Sequence, residues 1–175
     1  MNKIARVNLT KREVEVRELD DELVSNYIGG RGWGPRSCGT RSRGIPSPSP
    51  PRPENKVVIA TGPLTGTYFT GTGKTTLSSE GPLTGAYGDS NVGGRFGVEL
   101  KQAGFDALII EGVADRPVYI KVFDSKVNIE RADHLWGLGS IETEEALKQE
   151  VGERSVSCLT IGPAGELGPF RKHYN

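Results

Sequence analysis

In Val57-Val58-Ile59-Ala60-Thr61-Gly62-Pro63-Leu64-Thr65-Gly66 four consecutive apolar residues run into a Gly-Pro turn, and far down the chain Val156-Ser157-Cys158-Leu159-Thr160-Ile161-Gly162-Pro163-Ala164-Gly165 repeats that form. Working outward from each, the same two elements precede both. In the first copy Ala5, Val7 and Leu9, then Val14 and Val16, alternate on either side of the polar turn Thr10-Lys11-Arg12-Glu13, the pattern of a half-buried hairpin. A helix follows, opened by the acidic caps Asp20 and Asp21, striped by Leu23, Val24, Tyr27 and Ile28, and stopped by Gly29-Gly30, since glycine takes the left-handed conformation without a Cβ penalty. In the second copy Val118, Ile120 and Val122 alternate, Asp124-Ser125-Lys126 turns the chain, and Val127 and Ile129 return. Leu135-Trp136-Gly137 then leads to a helix over Ile141 to Val151, closed by Gly152, and to a strand over Val156 to Ile161. Two such units predict an α+β fold of two similar sheet-plus-helix repeats, about 3–66 and 117–166, packed with pseudo-twofold symmetry as a single domain over 1–175. A Gly-rich region, 67–116, connects them.

Composition sets the outer bounds. A chain of 175 residues can bury about two-thirds of its unfolded surface. Its 22 basic and 22 acidic residues balance, which gives no electrostatic footprint for nucleic acid or a membrane surface. No apolar run approaches the roughly 20 residues of a membrane span, and no cleavable signal opens the sequence. With two cysteines, Cys38 and Cys158, a disulfide framework is not expected, and a reducing cytoplasm is the default location.

Many of the 24 glycines fall between Gly62 and Gly104, where backbone is expected to approach something closely. Gly71-Thr72-Gly73-Lys74-Thr75-Thr76 has the look of a phosphate-binding P-loop, but the pattern needs a glycine where Tyr68 stands and a helix beginning at the lysine. Gly81-Pro82 leaves no room for that helix. Asn91-Val92-Gly93-Gly94 is the better anion site, because it precedes a short helix with Phe96, Leu100 and Ala103 on one face and Gly104 at its end. His134 and His173 have no matched carboxylate or cysteine in the sequence around them, so no acid-base pair is expected.

The strings ENKVVIATGPLTGT, EGPLTGAYGDSNVGGRFGVELKQAGFDALIIEG and IGPAGE resemble the N-terminal domain of the aldehyde ferredoxin oxidoreductase family of tungsten or molybdenum enzymes. The resemblance implies an enzyme that oxidises aldehydes to carboxylic acids, or runs a related low-potential reaction, with ferredoxin as electron acceptor. It also implies a tungsten or molybdenum bis-pterin with a bridging magnesium, and a [4Fe-4S] cluster in the full-length enzyme. The domain would be the floor on which the cofactor lies, catalytically silent alone. It would need the missing C-terminal domains or a complementary subunit, and a homodimer is possible. Residue by residue, Asn91 matches an asparagine whose main-chain carbonyl helps hold the magnesium, Gly93 and Gly94 match main chain that meets the pterin, and Lys74 matches a basic residue between pterin and cluster. Each suits its role, a carbonyl being a hard ligand for magnesium and a cation stabilising added negative charge. A competing reading is a non-catalytic module that binds a pterin phosphate or a partner subunit through the same Gly-rich face.

Two features depart from the family pattern. A cubane cluster takes four thiolates, which two cysteines without paired spacing cannot supply, and Cys158 in mid-strand reads as a small buried hydrophobe. The segment GPRSCGTRSRGIPSPSPPRPENK is rich in Arg, Ser and Pro where the family continues a helix and short loop. Codons for Arg36 through Pro51 read in a shifted frame can spell ILWDEVPRDSVPLSPE, and codons for Gly168 through Asn175 can spell VRFASIT, both fitting the family pattern. Residues 35–53 and 168–175 are accordingly expected to be frame-shifted and irregular, with Cys38 an artefact.

Overall fold

The computed structural model describes residues 2–34, 55–81, 85–153 and 155–167. The expectations for 35–53 and 168–175 lie outside the described residues. In chain order the elements are β1 (Lys3–Asn8), β2 (Glu13–Glu18), α1 (Asp21–Asn26), a 3-10 turn (Gly30–Gly32), β3 (Lys56–Thr61), β4 (Thr75–Glu80) and β5 (Tyr87–Val92). They continue with α2 (Phe96–Gln102), β6 (Ala107–Glu111), β7 (Val118–Phe123), β8 (Lys126–Arg131), a second 3-10 turn (Asp133–Leu135), α3 (Ser140–Val151) and α4 (Gly162–Leu167). The fold is mixed α+β. Two compact units share the chain, one of Met1–Asp115 with Ile120–Ile129 and the other of Arg116–Tyr119 with Glu130–Asn175.

The first unit is built on a six-stranded sheet in the order β2-β1-β6-β3-β4-β5. The hairpin has the expected register, Ala5 facing Val16 and Val7 facing Val14. Sequence neighbours do not settle the rest, because β6 enters between β1 and β3, parallel to the first and antiparallel to the second. Alternation then divides the side chains between two faces. Val58 and Ala60 of β3 and Ala107 of β6 form a core with Trp33, and Ile4, Leu19, Leu23, Tyr27 and Ile109 pack against it. On the opposite face Gly97 of α2 lies so close to Thr75 and Thr61 that a Cβ there would strike the Thr75 hydroxyl.

A buried ion pair ties these layers together. Lys101 Nζ of α2 lies 3.0 Å from Asp106 Oδ1, with both side chains almost fully covered. The other carboxylate oxygen accepts from the Asn2 N–H at 2.6 Å, while the Asp106 carbonyl accepts from the Thr61 N–H at 3.0 Å and from its hydroxyl at 2.9 Å. The strand after Gly104-Phe105-Asp106 is thereby fixed to β1, β3 and α2 at once.

Across the sheet, Glu111 of β6 accepts from Arg6 at 2.8 Å and from Asn8 at 3.1 Å, and Lys56 stands 3.9 Å away. The Arg6 hydrogen bond, outweighing burial, holds the Glu111 carboxyl below its ordinary value. A depressed folded value means stability that is present above the unfolded carboxylate range and lost as pH falls through the folded one. Glu111→Gln is therefore expected to flatten the acid limb of a stability-against-pH curve. An acid limb of unchanged slope in that variant, followed by urea denaturation, would count against this linkage.

Several local expectations are corrected. The helix α1 is capped by Asp20, which accepts from the Glu22 N–H at 3.0 Å, but it ends at Asn26, with Tyr27 already extended. Ile28 therefore lies beyond the helix and is exposed, as is Val24, while Leu23 and Tyr27 reach the core. Gly29 is not the helix stop. Its φ of +119° and the Thr61 carbonyl 3.0 Å from the place of its Cβ show a glycine used for close approach to β3. The P-loop is excluded as expected, since β4 begins at Thr75 where a helix would be required. The expected pair of similar sheets is replaced, among the described residues, by the six-stranded sheet and a β7–β8 ribbon.

That ribbon turns through Asp124 and Ser125, both at positive φ, the signature of a tight two-residue hairpin turn. In the second unit α3 spans Ser140–Val151 and closes on Gly152 at φ 73°, whose N–H caps the Lys148 and Gln149 carbonyls. The predicted strand over Val156 to Ile161 forms no ladder among the described residues, and Gly162-Pro163 opens the helix α4. An apolar run becomes a strand only when another strand satisfies its backbone groups, and none pairs with it among the described residues. Cys158 is half-buried there, rather than a core strand residue.

Candidate functional site

The four residues singled out by sequence converge on one end of the β4–β5 pair. Thr76 stands opposite Asn91 and Thr75 opposite Val92 in the antiparallel register. Lys74 therefore immediately precedes β4 where Gly93 and Gly94 immediately follow β5. The Gly94 carbonyl oxygen lies 2.7 Å from where a Cβ on Gly73 would be, so only glycine lets the two segments close on each other. Lys74, Asn91, Gly93 and Gly94 are all exposed.

Glycine serves two purposes in this region. At Gly73 and Gly97 it admits neighbouring protein. At Gly93 and Gly94 a Cβ would meet nothing within 4 Å, so packing within the chain does not call for glycine at Gly93, and the backbone is bare to solvent. Gly94 has φ +99°, a conformation that L side chains rarely adopt. A bare backbone turn beside an exposed asparagine is a surface that a flat ligand can approach to contact distance. Bare main chain at Gly93 and Gly94 and the exposed Lys74 thus lie at the same end of the β4–β5 pair.

Asn91 is held from the side. Its Oδ1 accepts from the Thr76 hydroxyl at 3.0 Å, which fixes the side-chain amide against β4. The turn also has a stiff support in α2, locked to β4 through Gly97 and to Asp106 through Lys101.

Sequence reasoning missed three members of this face. Gly30, at φ +50°, brings the 3-10 turn so near Thr76 that its Cβ position is 3.3 Å from the hydroxyl that binds Asn91. Arg31 in that turn donates from Nε to Asp89 Oδ2 at 2.5 Å. Asp89 lies two residues before Asn91 on β5, and hence on the same face. The signal was the run Gly29-Gly30-Arg31-Gly32, whose single charged residue has a purpose that a helix stop does not explain.

A second polar cluster corrects the reading of His134. Its Nε2 lies 3.0 Å from Glu150 Oε2, and Tyr119 donates to the other oxygen of Glu150 at 2.9 Å. Burial, the hydrogen bond and the Glu150 charge push the Tyr119 hydroxyl up to about 12. His134 and Glu150 are about half exposed, and their bonds fasten the base of β7 to the end of α3. Among the described residues no group of three His, Cys, Asp or Glu is placed to hold a metal ion. No helix among them is long and apolar enough to cross a membrane.

The sequence model described as aldehyde ferredoxin oxidoreductase, N-terminal domain, matches residues 4–169. The tungsten-containing aldehyde ferredoxin oxidoreductase of Pyrococcus abyssi is 45% identical over 164 residues, covering 94% of this chain and 27% of the relative. An aliphatic sulfonate oxidoreductase, WOR-like subunit, from Pyrococcus furiosus is 36% identical, again over 94% of this chain and 28% of the relative. Among solved structures, the active-site complex BamBC of benzoyl coenzyme A reductase with 1,5-dienoyl-CoA superposes with a TM-score of 0.80 at 36% identity, over 88% of this chain and 23% of that one. The chain thus spans about a quarter of the length of these relatives. With a family match over nearly every residue and the same fold in a solved relative, this chain belongs to the aldehyde ferredoxin oxidoreductase family, as its N-terminal domain.

Proposed function

We propose that the chain is the cofactor floor of an oxidoreductase carrying a tungsten or molybdenum bis-pterin, and that the Asn91–Gly94 turn is where the cofactor rests. The observation that carries this reading is the bare backbone of Gly93 and Gly94, with nothing within 4 Å of either Cβ position, beside Asn91. In it the Asn91 main-chain carbonyl would help hold a magnesium ion that accompanies the cofactor, a carbonyl being a hard ligand suited to that metal. Gly93 and Gly94 offer main chain to a pterin face, and Lys74 supplies positive charge on the same side. When bound, the metal-pterin group supplies low-potential two-electron chemistry, and a [4Fe-4S] cluster held by the remainder of the enzyme would carry electrons on to ferredoxin. This chain's part is to bind and orient. Thr76 holds the Asn91 side chain, Gly73 lets Lys74 close on the turn, and α2 keeps the turn from shifting.

Aldehyde oxidation to a carboxylic acid is the reaction most in keeping with the tungsten-containing relatives, which are named aldehyde ferredoxin oxidoreductases. The sulfonate and benzoyl-CoA relatives are similar to this chain over the same domain. Substrate choice on this reading belongs to other domains, and the floor determines cofactor retention.

The test replaces the corresponding 26% of the Pyrococcus furiosus tungsten-containing enzyme with this chain and introduces Gly93→Val. Open space at Gly93 makes the variant compatible with the fold, so tungsten and pterin content is expected to fall about tenfold or more, the loss of at least one good contact, with circular dichroism unchanged. Full tungsten occupancy in the folded variant would remove Gly93 from the site.

A further inference from the structure

Arg31 has chemistry that its visible partner does not exhaust. Its Nε donates to Asp89, and its side chain is otherwise 68% exposed, whereas that of Asp89 is 19% exposed. No partner for the two terminal Nη groups is found among the described residues. The segment that carries Arg31 lies on the Asn91 face of the sheet. Gly30 sits over Thr76, whose hydroxyl binds Asn91, and Gly34 sits so tightly on Ser78 that a Cβ would come within 2.5 Å of its hydroxyl. The backbone beside Arg31 is thereby pinned. The guanidinium is pinned through Asp89, on the strand and face that carry Asn91.

We infer that Arg31 is a second cationic ligand of the Asn91–Gly94 site, a fork for phosphate oxygens, with Asp89 as the residue that aims it. This rests on the phosphate-bearing cofactor reading above. An arginine offers five N–H donors in a rigid plane and takes a phosphate bidentately, which lysine cannot do. An Nε-bound carboxylate fixes the plane and leaves the outer edge free. Lys74 and Arg31 would then bring charge to the same face from the β4 side and the 3-10 turn, with the bare turn between β5 and α2 as the floor. The plain alternative, an exposed ion pair serving stability, predicts almost no effect on anything but stability, and little on that.

The experiment is a titration of the isotopically labelled 175-residue chain with inorganic phosphate at constant ionic strength, following the Gly93 and Gly94 amides and the Arg31 Nε–H by two-dimensional NMR. Saturable shifts at all three are expected. Affinity should fall about tenfold in Arg31→Ala, the scale of one charge-assisted contact, and by less in Arg31→Lys. Asp89→Asn distinguishes aiming from bulk charge, because removing a negative charge would tighten phosphate binding unless the fork also loses its orientation. Weaker binding in Asp89→Asn is expected, and tighter binding would overturn the aiming role. Unchanged affinity in Arg31→Ala, with Gly93 and Gly94 still shifting, would overturn the Arg31 assignment alone. No saturable shift at Gly93 and Gly94 in the parent chain would overturn the phosphate reading of the turn, and the Arg31 assignment with it.

Discussion

Asp106→Ala is expected to lower the unfolding free energy of this chain by about 3–5 kcal/mol, the usual cost of removing one partner of a buried ion pair. The loss has three parts in one place. Lys101, its side chain 8% exposed, loses its 3.0 Å counter-ion, the Asn2 N–H loses its acceptor, and a space opens beneath α2. Against a typical total of about 5–15 kcal/mol, that is enough to leave a substantial unfolded fraction. Urea denaturation of the parent and variant measures it, and a shift equivalent to less than about 1 kcal/mol, the worth of a surface pair, would show the pair to be dispensable. Replacing both partners by apolar residues of similar volume, Asp106→Leu with Lys101→Met, is expected to recover much of the loss, because no charge is then left buried alone.

Gly97→Val has the second large effect, for a steric reason. The added Cβ would overlap the Thr75 hydroxyl, and the valine methyls beyond it would press on Thr61 and Thr65, whose methyl carbons lie 3.5 Å from the Cβ position. These side chains are buried, Thr61 and Thr75 at the ends of β3 and β4 and Thr65 in the turn after β3, and cannot swing away. Overpacking of this kind costs roughly 1–3 kcal/mol or more. The relief available is for α2 to lift from the sheet, which would carry the Gly93–Gly94 turn with it. Thermal unfolding should show the loss, and the Gly94 amide resonance should move although it lies three residues away. Thr75→Ala combined with Gly97→Ala removes the colliding oxygen and is expected to restore most of the stability. A double variant no better than Gly97→Ala alone would place the strain elsewhere.

Local pattern made several elements legible. Strict alternation set the β1–β2 register, Asp20 marked a helix start, and Gly152 marked a helix end. In each case the deciding interactions lie within a few residues. Long-range pairing was not legible. The apolar run of β3 reads in sequence as part of one repeat with the β1–β2 hairpin, but β6, from far down the chain, lies between them. Burial on both faces makes such a strand attractive to many partners, and its sequence does not name one. The run over Val156 to Ile161 was misread for the converse reason, since composition cannot supply the second strand that a ladder requires.

The candidate site divides in the same way. The sequence by itself determined the family and named Asn91-Val92-Gly93-Gly94 and Lys74 as candidates, because those are contiguous strings whose residue types carry their chemistry with them. Only the tertiary structure decided that Gly73 and Gly97 are glycines for packing, that Gly93 is open toward solvent, and that Arg31 pairs with Asp89 on the strand and face that carry Asn91. The physical reason is that a glycine reads the same whether the space over it holds protein or is bare. Likewise, a charged side chain shows its role only when the fold has chosen which face, and which counter-ion, it meets.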